Sequence, residues 1–421
     1  MDANRLCRKA VDWMAKNYMT DINNTTKNNL DNLAIFGGKP AFDNTLHVGR
    51  PNIGNRDQLL VRINDALDRR WLTNGGPFLH ELERRIEKLL DVKHCIAMAN
   101  ATIALEVTSR ALDLRGEVIV PSFTFIATAH SLQWLGIKPV FCDIDPNTHN
   151  LDPERVEELI TPKTSGILGV HVWGRACAVD KLSHISKRYN LHLLYDAAHA
   201  FGASYQDVMI GNFGDAEIFS FHATKFFNTF EGGAVVTNND DLAARIRAMR
   251  NFGFKNYDEV SSLGTNAKMN EISAAMGITG LESLDRFISV NQQNYEHYRH
   301  WLSNIPGVKI VQYNETEKNN FQYIVVEIDE VVSKISRDAI NDILHAENVL
   351  SRRYFYPGCH QMEPYCSNAE TLPDLNETES LTQKVLQLPT GTAVSEKEIE
   401  RVCEIIRYAV HNGLRITQRL N

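Results

Sequence analysis

CIAMANATIALEVTSRALDLRGEVIVP, residues 95–121, places two short apolar runs on either side of a stretch with helical spacing. The first run, CIAMA, precedes a predicted helix over residues 102–111, and EVIVP follows that helix after a polar turn. A strand, a helix and a second strand in this order predict parallel strands joined by a crossover helix.

The same alternation extends in both directions from this stretch. Upstream, helices are predicted over residues 56–69, with Leu60, Ile63, Asn64 and Leu67 on one face, and over residues 77–90. Downstream, a helix over residues 126–135 is followed by three strand-like runs, KPVFCDI, GILGVHV and LHLLYDA. AEIFSF and GGAVVTN then read as two strands joined by a loop that contains Lys225. The fold class is therefore α/β, with a large, mostly parallel sheet covered on both faces.

The pattern changes after residue 285. A helix over residues 291–302, the strands PGVKIVQY and QYIVVEI, and helices over residues 339–347 and 395–412 predict a small C-terminal α+β domain. We divide the chain into an N-terminal extension, a large domain and a small domain. Their bounds are residues 1–32, with a helix over 3–18, residues 33–285 and residues 286–421.

Composition restricts the function classes. The chain has 421 residues, 43% apolar and 23% charged, and a net charge of −8, so a nucleic-acid binder and a binder of anionic membrane surfaces are not expected. Seven cysteines without CxxC spacing indicate neither a metal site nor a redox motif. The first twenty residues lack the apolar core of a signal peptide, and we expect a cytoplasmic protein.

Lys225 lies in SFHATKFFNTFEGG, between the two predicted strands. A lysine that bonds covalently to a carbonyl cofactor needs a fixed loop in a cleft, where burial lowers its pKa. Gly232 and Gly233 let the backbone pass close to such a cofactor. On spacing alone, a surface lysine in a hairpin is the commoner explanation of the pattern.

Three further segments lie at predicted strand ends. Asp196 closes the run LHLLY, where ligand sites gather in open α/β sheets, although an aspartate there also caps helices. Ala101 and Thr102 open a helix whose free N–H groups can hold an anion, or Thr102 is a plain N-cap. Phe125 can stack on a flat ring or pack in the core.

Seven segments taken in order resemble one family, the DegT/DnrJ/EryC1/StrS family of nucleotide-sugar aminotransferases. This family depends on pyridoxal 5′-phosphate (PLP) and has the fold type I, or aspartate aminotransferase-like, architecture. The resemblance covers residues 33 to about 412. Its segments are NATIAL, PSFTFIATAH, DIDPNTHNLD, GVHVWGRACAVDKL, YDAAHAFGA, SFHATKFFNTFEGGAVVT and GTNAKMNEISAAMG.

The resemblance implies a role for each matching residue. Lys225 matches the lysine that bonds to PLP, and Asp196 matches the carboxylate beneath the pyridine nitrogen. Both are catalytic, together with His199, which matches the contact to the ring or its 3-oxygen. The remaining cofactor contacts are the stacking aromatic Phe125, the phosphate contacts Ala101, Thr102 and Ser220, and Asn266, which reaches the phosphate of the partner in a homodimer.

A finer resemblance concerns the substrate. The loops VGRPNIG, RRWLTNGGP, HVWGRAC, NFGF and YFYPGCHQMEPY resemble the branch that aminates dTDP-4-keto-6-deoxy-D-glucose at carbon 4. L-glutamate is the expected amino donor. Lys268, Arg352 and Arg353 are expected partners of the sugar-nucleotide diphosphate, or else solvated surface charges.

Three alternatives stay open. The first is amination at carbon 3, or of a sugar on another nucleotide. The second is a PLP-dependent sugar dehydratase, which Lys225 argues against because that branch carries histidine in its place. The third is a non-catalytic regulator of the same fold, for which residues 1–32 are too short to supply a DNA-binding module.

Overall fold

The computed structural model describes residues 27–367 and 374–421, so the helix predicted over residues 3–18 lies outside the described residues. The α-helices are α1 (Arg56–Arg69), α2 (Pro77–Leu90), α3 (Ala101–Ala111), α4 (Ile126–Trp134), α5 (Pro153–Glu158), α6 (Val179–Tyr189), α7 (Asp240–Arg250), α8 (Glu271–Leu281), α9 (Leu284–Leu302), α10 (Glu330–Ser333), α11 (Arg337–Ala346), α12 (Asn376–Thr382), α13 (Glu396–His411) and α14 (Gly413–Leu420). The strands are β1 (Leu46–His47), β2 (His94–Met98), β3 (Glu117–Pro121), β4 (Lys138–Cys142), β5 (Thr164–Val170), β6 (His192–Asp196), β7 (Ser204–Tyr205), β8 (Val208–Met209), β9 (Ala216–Ser220), β10 (Gly233–Thr237), β11 (Val308–Ile310), β12 (Ile324–Ile328), β13 (Val349–Leu350) and β14 (Val385–Leu388).

The large sheet has seven strands in the order β2-β10-β9-β6-β5-β3-β4. Strand β10 is antiparallel to both of its neighbours, and the other pairings are parallel. The buried apolar side chains of these strands pack against helices on either face, in separate clusters. The predicted α/β class with a mostly parallel sheet is confirmed.

Helices α1 and α2 have the predicted bounds, but the buried face of α1 differs from the expectation. Leu59 and Ala66 are buried, whereas Leu60 and Leu67 are about half exposed. The helix packs on α8, which Arg62 also contacts through a 2.8 Å hydrogen bond to Oγ1 of Thr279. Of the apolar residues predicted to share one face, Ile63 is partly buried against the core, whereas Leu60 and Leu67 are left at the surface of the single chain.

Helix α9 links the two parts of the molecule, and it begins at Leu284 rather than at the predicted residue 291. Its first turns place Leu284 and Phe287 in a core beside the large sheet. Its later turns place Tyr298 and Leu302 in a second core, under the antiparallel sheet β11-β12-β14. The apolar spacing of both halves explains why one long helix forms.

The second core also includes residues that precede the large sheet. Leu33 and Phe42 pack in it, and β1 pairs in parallel with β13. The chain around the predicted start of the large domain at residue 33 thus packs with the C-terminal part. The divisions at residues 33 and 285 stay predictions.

One edge of the large sheet gathers the residues singled out above. Strands β6 and β9 are parallel and end there, at Asp196 and Ser220. Strand β10 begins there at Gly233, which pairs with both Ser220 and Met98. Within residues 27–367 and 374–421, no helix is long and apolar enough to cross a membrane.

Candidate active site

Lys225 lies in the loop between β9 and β10, and one hydrogen bond within this loop and two to other segments fix it. The N–H of Lys225 donates to the carbonyl of His222 at 2.9 Å. On the next residue, Phe226, the carbonyl accepts from Nδ2 of Asn52 at 2.9 Å and the N–H donates to Oε1 of Gln322 at 3.0 Å. The main chain beside the lysine is therefore held from both sides.

The Lys225 side chain extends into a partly buried space. Its Nζ donates a hydrogen bond to Oη of Tyr323 at 2.9 Å. Burial lowers the pKa of Lys225 to about 8, although the nearby Tyr354 and Asp196 act in the opposite direction. About a tenth of this amine is then uncharged at pH 7 and about half at pH 8, and the uncharged form is the nucleophilic one.

Asp196 is a buried carboxylate at the end of β6. Its Oδ2 accepts a hydrogen bond from Oγ1 of Thr128 at 2.8 Å, and its Oδ1 accepts from the N–H of Ala198 at 3.1 Å. Burial raises the pKa of Asp196 despite these bonds and the charges of Lys225 and His171. Among the described residues no cationic side chain bonds to it. A buried carboxylate of this kind can therefore accept a positively charged ligand group as its partner.

His199 follows on the loop after β6 and is nearly fully buried. The N–H of Trp173 donates to its Nδ1 at 3.3 Å, so the proton of the neutral ring is on Nε2. Burial, aided by the charge of Lys225, holds the pKa of His199 well below its usual value. His199 is therefore a neutral ring that can donate a hydrogen bond from Nε2.

The start of helix α3 and the end of β9 form a cradle of donors. Asn100 caps the helix by accepting from the N–H of Ile103 at 2.9 Å. Within the described chain, no acceptor bonds to the amides of Ala101 and Thr102. Ser220 pairs with Gly233, whose missing side chain lets the strand pass within contact of Ala101. Free amides at a helix N-terminus beside a hydroxyl suit a phosphate.

Phe125 and Asn266 are placed differently from the buried residues. Phe125 is the residue immediately before α4. It is 52% exposed, so it is not a core phenylalanine. Asn266 is exposed and pairs with Asn251, although its neighbour Ala267 is buried. Among the contacts of the described residues, none joins Asn266 to Lys225, Asp196 or His199. The structure therefore brings together Lys225, Asp196 and His199, and separately the phosphate cradle.

The three expected diphosphate cations have different surroundings. Lys268 donates to Oδ1 of Asn251 at 3.0 Å and lies over the ring of Phe252. Arg353 binds Asp338 at 3.0 Å, so an acidic partner already compensates its charge. Arg352 lies 4.6 Å from the centre of the Tyr354 ring. Burial raises the pKa of the nearby Tyr323 phenol, and the charge of Arg352 opposes that rise. Of the three, Arg352 is the one that shares a neighbour, Tyr354, with Lys225.

Sequence reasoning did not identify the residues that support the site. Tyr323 and Gln322 lie about a hundred residues after Lys225, and Asn52 lies far before it. Thr128, three residues after Phe125, could have been noticed as a hydroxyl one helical turn into α4. The others carry no local signal, because long-range packing alone brings them to the lysine.

A mostly parallel sheet with a nucleophilic amine, a buried carboxylate and free helix amides at one edge is the framework of a cofactor-dependent transferase. The chain belongs to the DegT/DnrJ/EryC1/StrS aminotransferase family, whose model matches residues 54–407. It is therefore an aminotransferase, and its fold is that of PLP-dependent transferases of fold type I.

Several individual members of this aminotransferase family are similar to the chain over most of its length. The chain is 37% identical over 371 residues to the dTDP-4-amino-4,6-dideoxy-D-glucose transaminase of Shigella dysenteriae, covering 88% of this chain and 99% of that one. It is 35% identical over 365 residues to the GDP-perosamine synthase of Caulobacter vibrioides, covering 85% and 96%. Among solved structures, DesI in the presence of its TDP-sugar product matches with a TM-score of 0.90 and 48% identity, covering 93% of this chain and all of that one.

Proposed function

We propose that the protein is a PLP-dependent transaminase that moves an amino group from L-glutamate to carbon 4 of dTDP-4-keto-6-deoxy-D-glucose. The products are dTDP-4-amino-4,6-dideoxy-D-glucose and 2-oxoglutarate. The observation that carries this proposal is the Lys225 amine, with a pKa near 8, beside the buried carboxylate of Asp196.

The residues of the site fit PLP. The raised pKa of Asp196 reflects a buried acid without a cation, and a protonated pyridine nitrogen is such a cation. The open amides of Ala101 and Thr102 and the hydroxyl of Ser220 suit its phosphate. Phe125 exposes a ring for stacking, and His199 offers Nε2–H to a ring oxygen. Each of these features could contact a different part of the cofactor.

Each side chain then has a task. When bound, PLP supplies an electron sink for the carbanion that forms as the amino group moves. Asp196 keeps the pyridine nitrogen protonated, which sustains that sink. Lys225 would hold the cofactor, and as a free amine it would carry the proton to and from the reacting carbon as a general base and acid. His199, neutral and fixed by Trp173, orients the ring without adding a charge.

The substrate proposal draws on the relatives named above. The Shigella transaminase acts on a dTDP-linked 4-amino sugar, and DesI carries a TDP-sugar product. The relative from Caulobacter makes a GDP-linked sugar, so a GDP-linked keto sugar is the second candidate. Arg352, which lies over the ring of Tyr354, is the proposed partner of the diphosphate.

We further propose that the enzyme is a cytoplasmic homodimer with shared active sites. Phe252, Phe254 and Leu263 are exposed on the segment that carries Asn266, a pattern typical of a surface buried by a second copy. Asn266 itself would then reach the phosphate of the partner's cofactor. In the part of the chain that the structure describes, all six cysteines are free thiols, which suits a reducing compartment.

The experiment is a panel of keto-sugar nucleotides assayed with L-glutamate, with the products read by NMR. We expect the dTDP-linked 4-keto sugar to react fastest, and Lys225→Ala to give no product with any member. The 3-keto isomer should react far more slowly, since a misplacement of ~1 Å already costs on the order of a hundredfold. Preference for the 3-keto or the GDP-linked sugar would overturn the substrate. Reaction with free keto acids alone would overturn the nucleotide-sugar assignment.

A further inference from the structure

Tyr323 is the residue whose hydroxyl contacts the amine of Lys225. It lies immediately before β12 and is buried, with its Oη 2.9 Å from Nζ. The amine is also 5.6 Å from the centre of the tyrosine ring. A buried tyrosine hydroxyl normally finds a hydrogen-bond partner, and here the partner is the reactive nitrogen itself.

The position of Tyr323 is strongly determined. Its N–H donates to Oη of Tyr313 at 3.3 Å, and the same Oη donates to its carbonyl at 2.8 Å. Its ring centre lies 4.5 Å from that of His199 and 5.5 Å from that of Trp173. The hydroxyl is therefore preorganised by main-chain bonds and by ring packing before any ligand binds.

The residues next to Tyr323 contact the same group of catalytic residues. Gln322 holds the N–H of Phe226, directly after the lysine. Nδ2 of Asn320 donates to the carbonyl of His199 at 2.8 Å. The segment 320–323 thus positions the lysine loop, the lysine amine and the histidine together.

We propose that Tyr323 is a further catalytic residue: its hydroxyl binds the Lys225 amine whenever that amine is free and holds it where it carries the proton. This inference rests on the proposed function. An efficient proton carrier has a pKa near the working pH. Burial drives the amine toward its neutral form, while Tyr354 and Asp196 favour the ammonium. The Tyr323 oxygen, which accepts a hydrogen bond from Nζ at 2.9 Å, also favours the ammonium, because an ammonium is the stronger donor. Next to them, His199 is neutral and adds no charge.

The test compares Tyr323→Phe, which keeps the ring, with Tyr298→Phe. Tyr298 is also buried, and its Oη donates to the carbonyl of Pro389 at 2.9 Å, away from the site. Cofactor-free protein is labelled with acetic anhydride across a pH series, and acetylation of the Lys225 peptide is followed by mass spectrometry. We expect a labelling midpoint near pH 8 in the wild type and in Tyr298→Phe. In Tyr323→Phe the midpoint should fall by about one pH unit or more.

Kinetics of the PLP-loaded enzyme give a second readout. We expect kcat of Tyr323→Phe to fall at least about tenfold, with KM for the keto-sugar nucleotide changed less than about twofold, because the hydroxyl contacts the amine and not the sugar. An unmoved labelling midpoint, or a kcat equal to that of Tyr298→Phe, overturns the proposal. If Tyr323→Phe does not fold, 4-fluorophenylalanine at position 323, which fills the space of the hydroxyl but is a poor hydrogen-bond acceptor, replaces it under the same criterion. If the wild type aminates no keto sugar, the proposed function fails, yet the labelling midpoint still decides the role of Tyr323.

Discussion

Replacing Gly233 by alanine tests the phosphate cradle directly. The backbone of Gly233 does not have a positive φ, so alanine can adopt its conformation. The added Cβ would lie 2.6 Å from the nitrogen of Ala101 and 2.8 Å from the carbonyl carbon of Asn100. Ordinary contacts of a Cβ lie at 3.4–4 Å. Because both neighbours are backbone atoms, the start of α3 and strand β10 must separate by roughly 1 Å.

The magnitude follows from that displacement. Overpacking of this kind costs about 1–3 kcal/mol of folding stability. Moving the amides of Ala101 and Thr102 out of reach of a phosphate removes at least one hydrogen bond to a charged group, worth about 1.5–3 kcal/mol. At 1.4 kcal/mol per tenfold, the affinity for PLP should fall about 10- to 100-fold.

The assay is a titration of cofactor-free protein with PLP, followed by visible absorbance, together with thermal unfolding. Val235→Ala is the matched control, since Val235 is buried in the same strand and its truncation destabilises the fold without reaching the cradle. We expect this control to lose stability and keep its affinity for PLP. A Gly233→Ala protein that binds PLP as tightly as the wild type would refute the reasoning.

Three further predictions concern the acid–base groups and the assembly. Asp196→Asn should retain PLP but slow transamination by at least about a hundredfold, because a neutral amide no longer stabilises the pyridinium; steady-state kinetics check this, and near-normal turnover would assign the tuning of the ring to another group. Because the pKa of Lys225 is lowered, the fraction of its amine in the reactive neutral form increases as pH rises through about 8. The rate at which cofactor-free protein binds PLP, measured by stopped flow, should rise about fivefold from pH 7 to pH 8 and level off above about pH 9. A pH-independent rate would contradict the lowered pKa. Mixing Lys225→Ala subunits with Asn266→Ala subunits should restore activity, since one site of the hybrid dimer has both groups intact; no recovery after demonstrated subunit exchange would argue against shared sites.

Much of the fold could be predicted because local patterns agree with the final packing. The first residues of helices α1 and α2 can be recognised from the sequence, because the side chain of Asn55 caps α1 and Pro77 is the first residue of α2. The buried strands of the large sheet are continuous apolar runs, as parallel strands covered on both faces must be. The start of α9 was missed because Leu284 and Phe287 pack in a different core from the rest of that helix.

The site was predictable where one segment carries both the residue and its setting. Lys225 before Glu-Gly-Gly and Asp196 at a strand end are signals of this kind. Tyr323, Gln322 and Asn52 are not, because their importance comes from contacts with residues about 100 to 180 positions away. The exposed Leu60 and Leu67 of α1 show the same limit, since helical spacing identifies an apolar face but not what covers it.

The measurement that tests the central claim most directly is borohydride treatment of the PLP-loaded protein, followed by peptide mapping. Borohydride makes the bond between PLP and its lysine permanent. We expect one phosphopyridoxyl group per chain, on the peptide that contains Lys225, and loss of the visible absorbance of the bound cofactor. A label on another lysine, or no label in protein that has taken up PLP, would contradict the assignment of Lys225 and the transamination mechanism built on it.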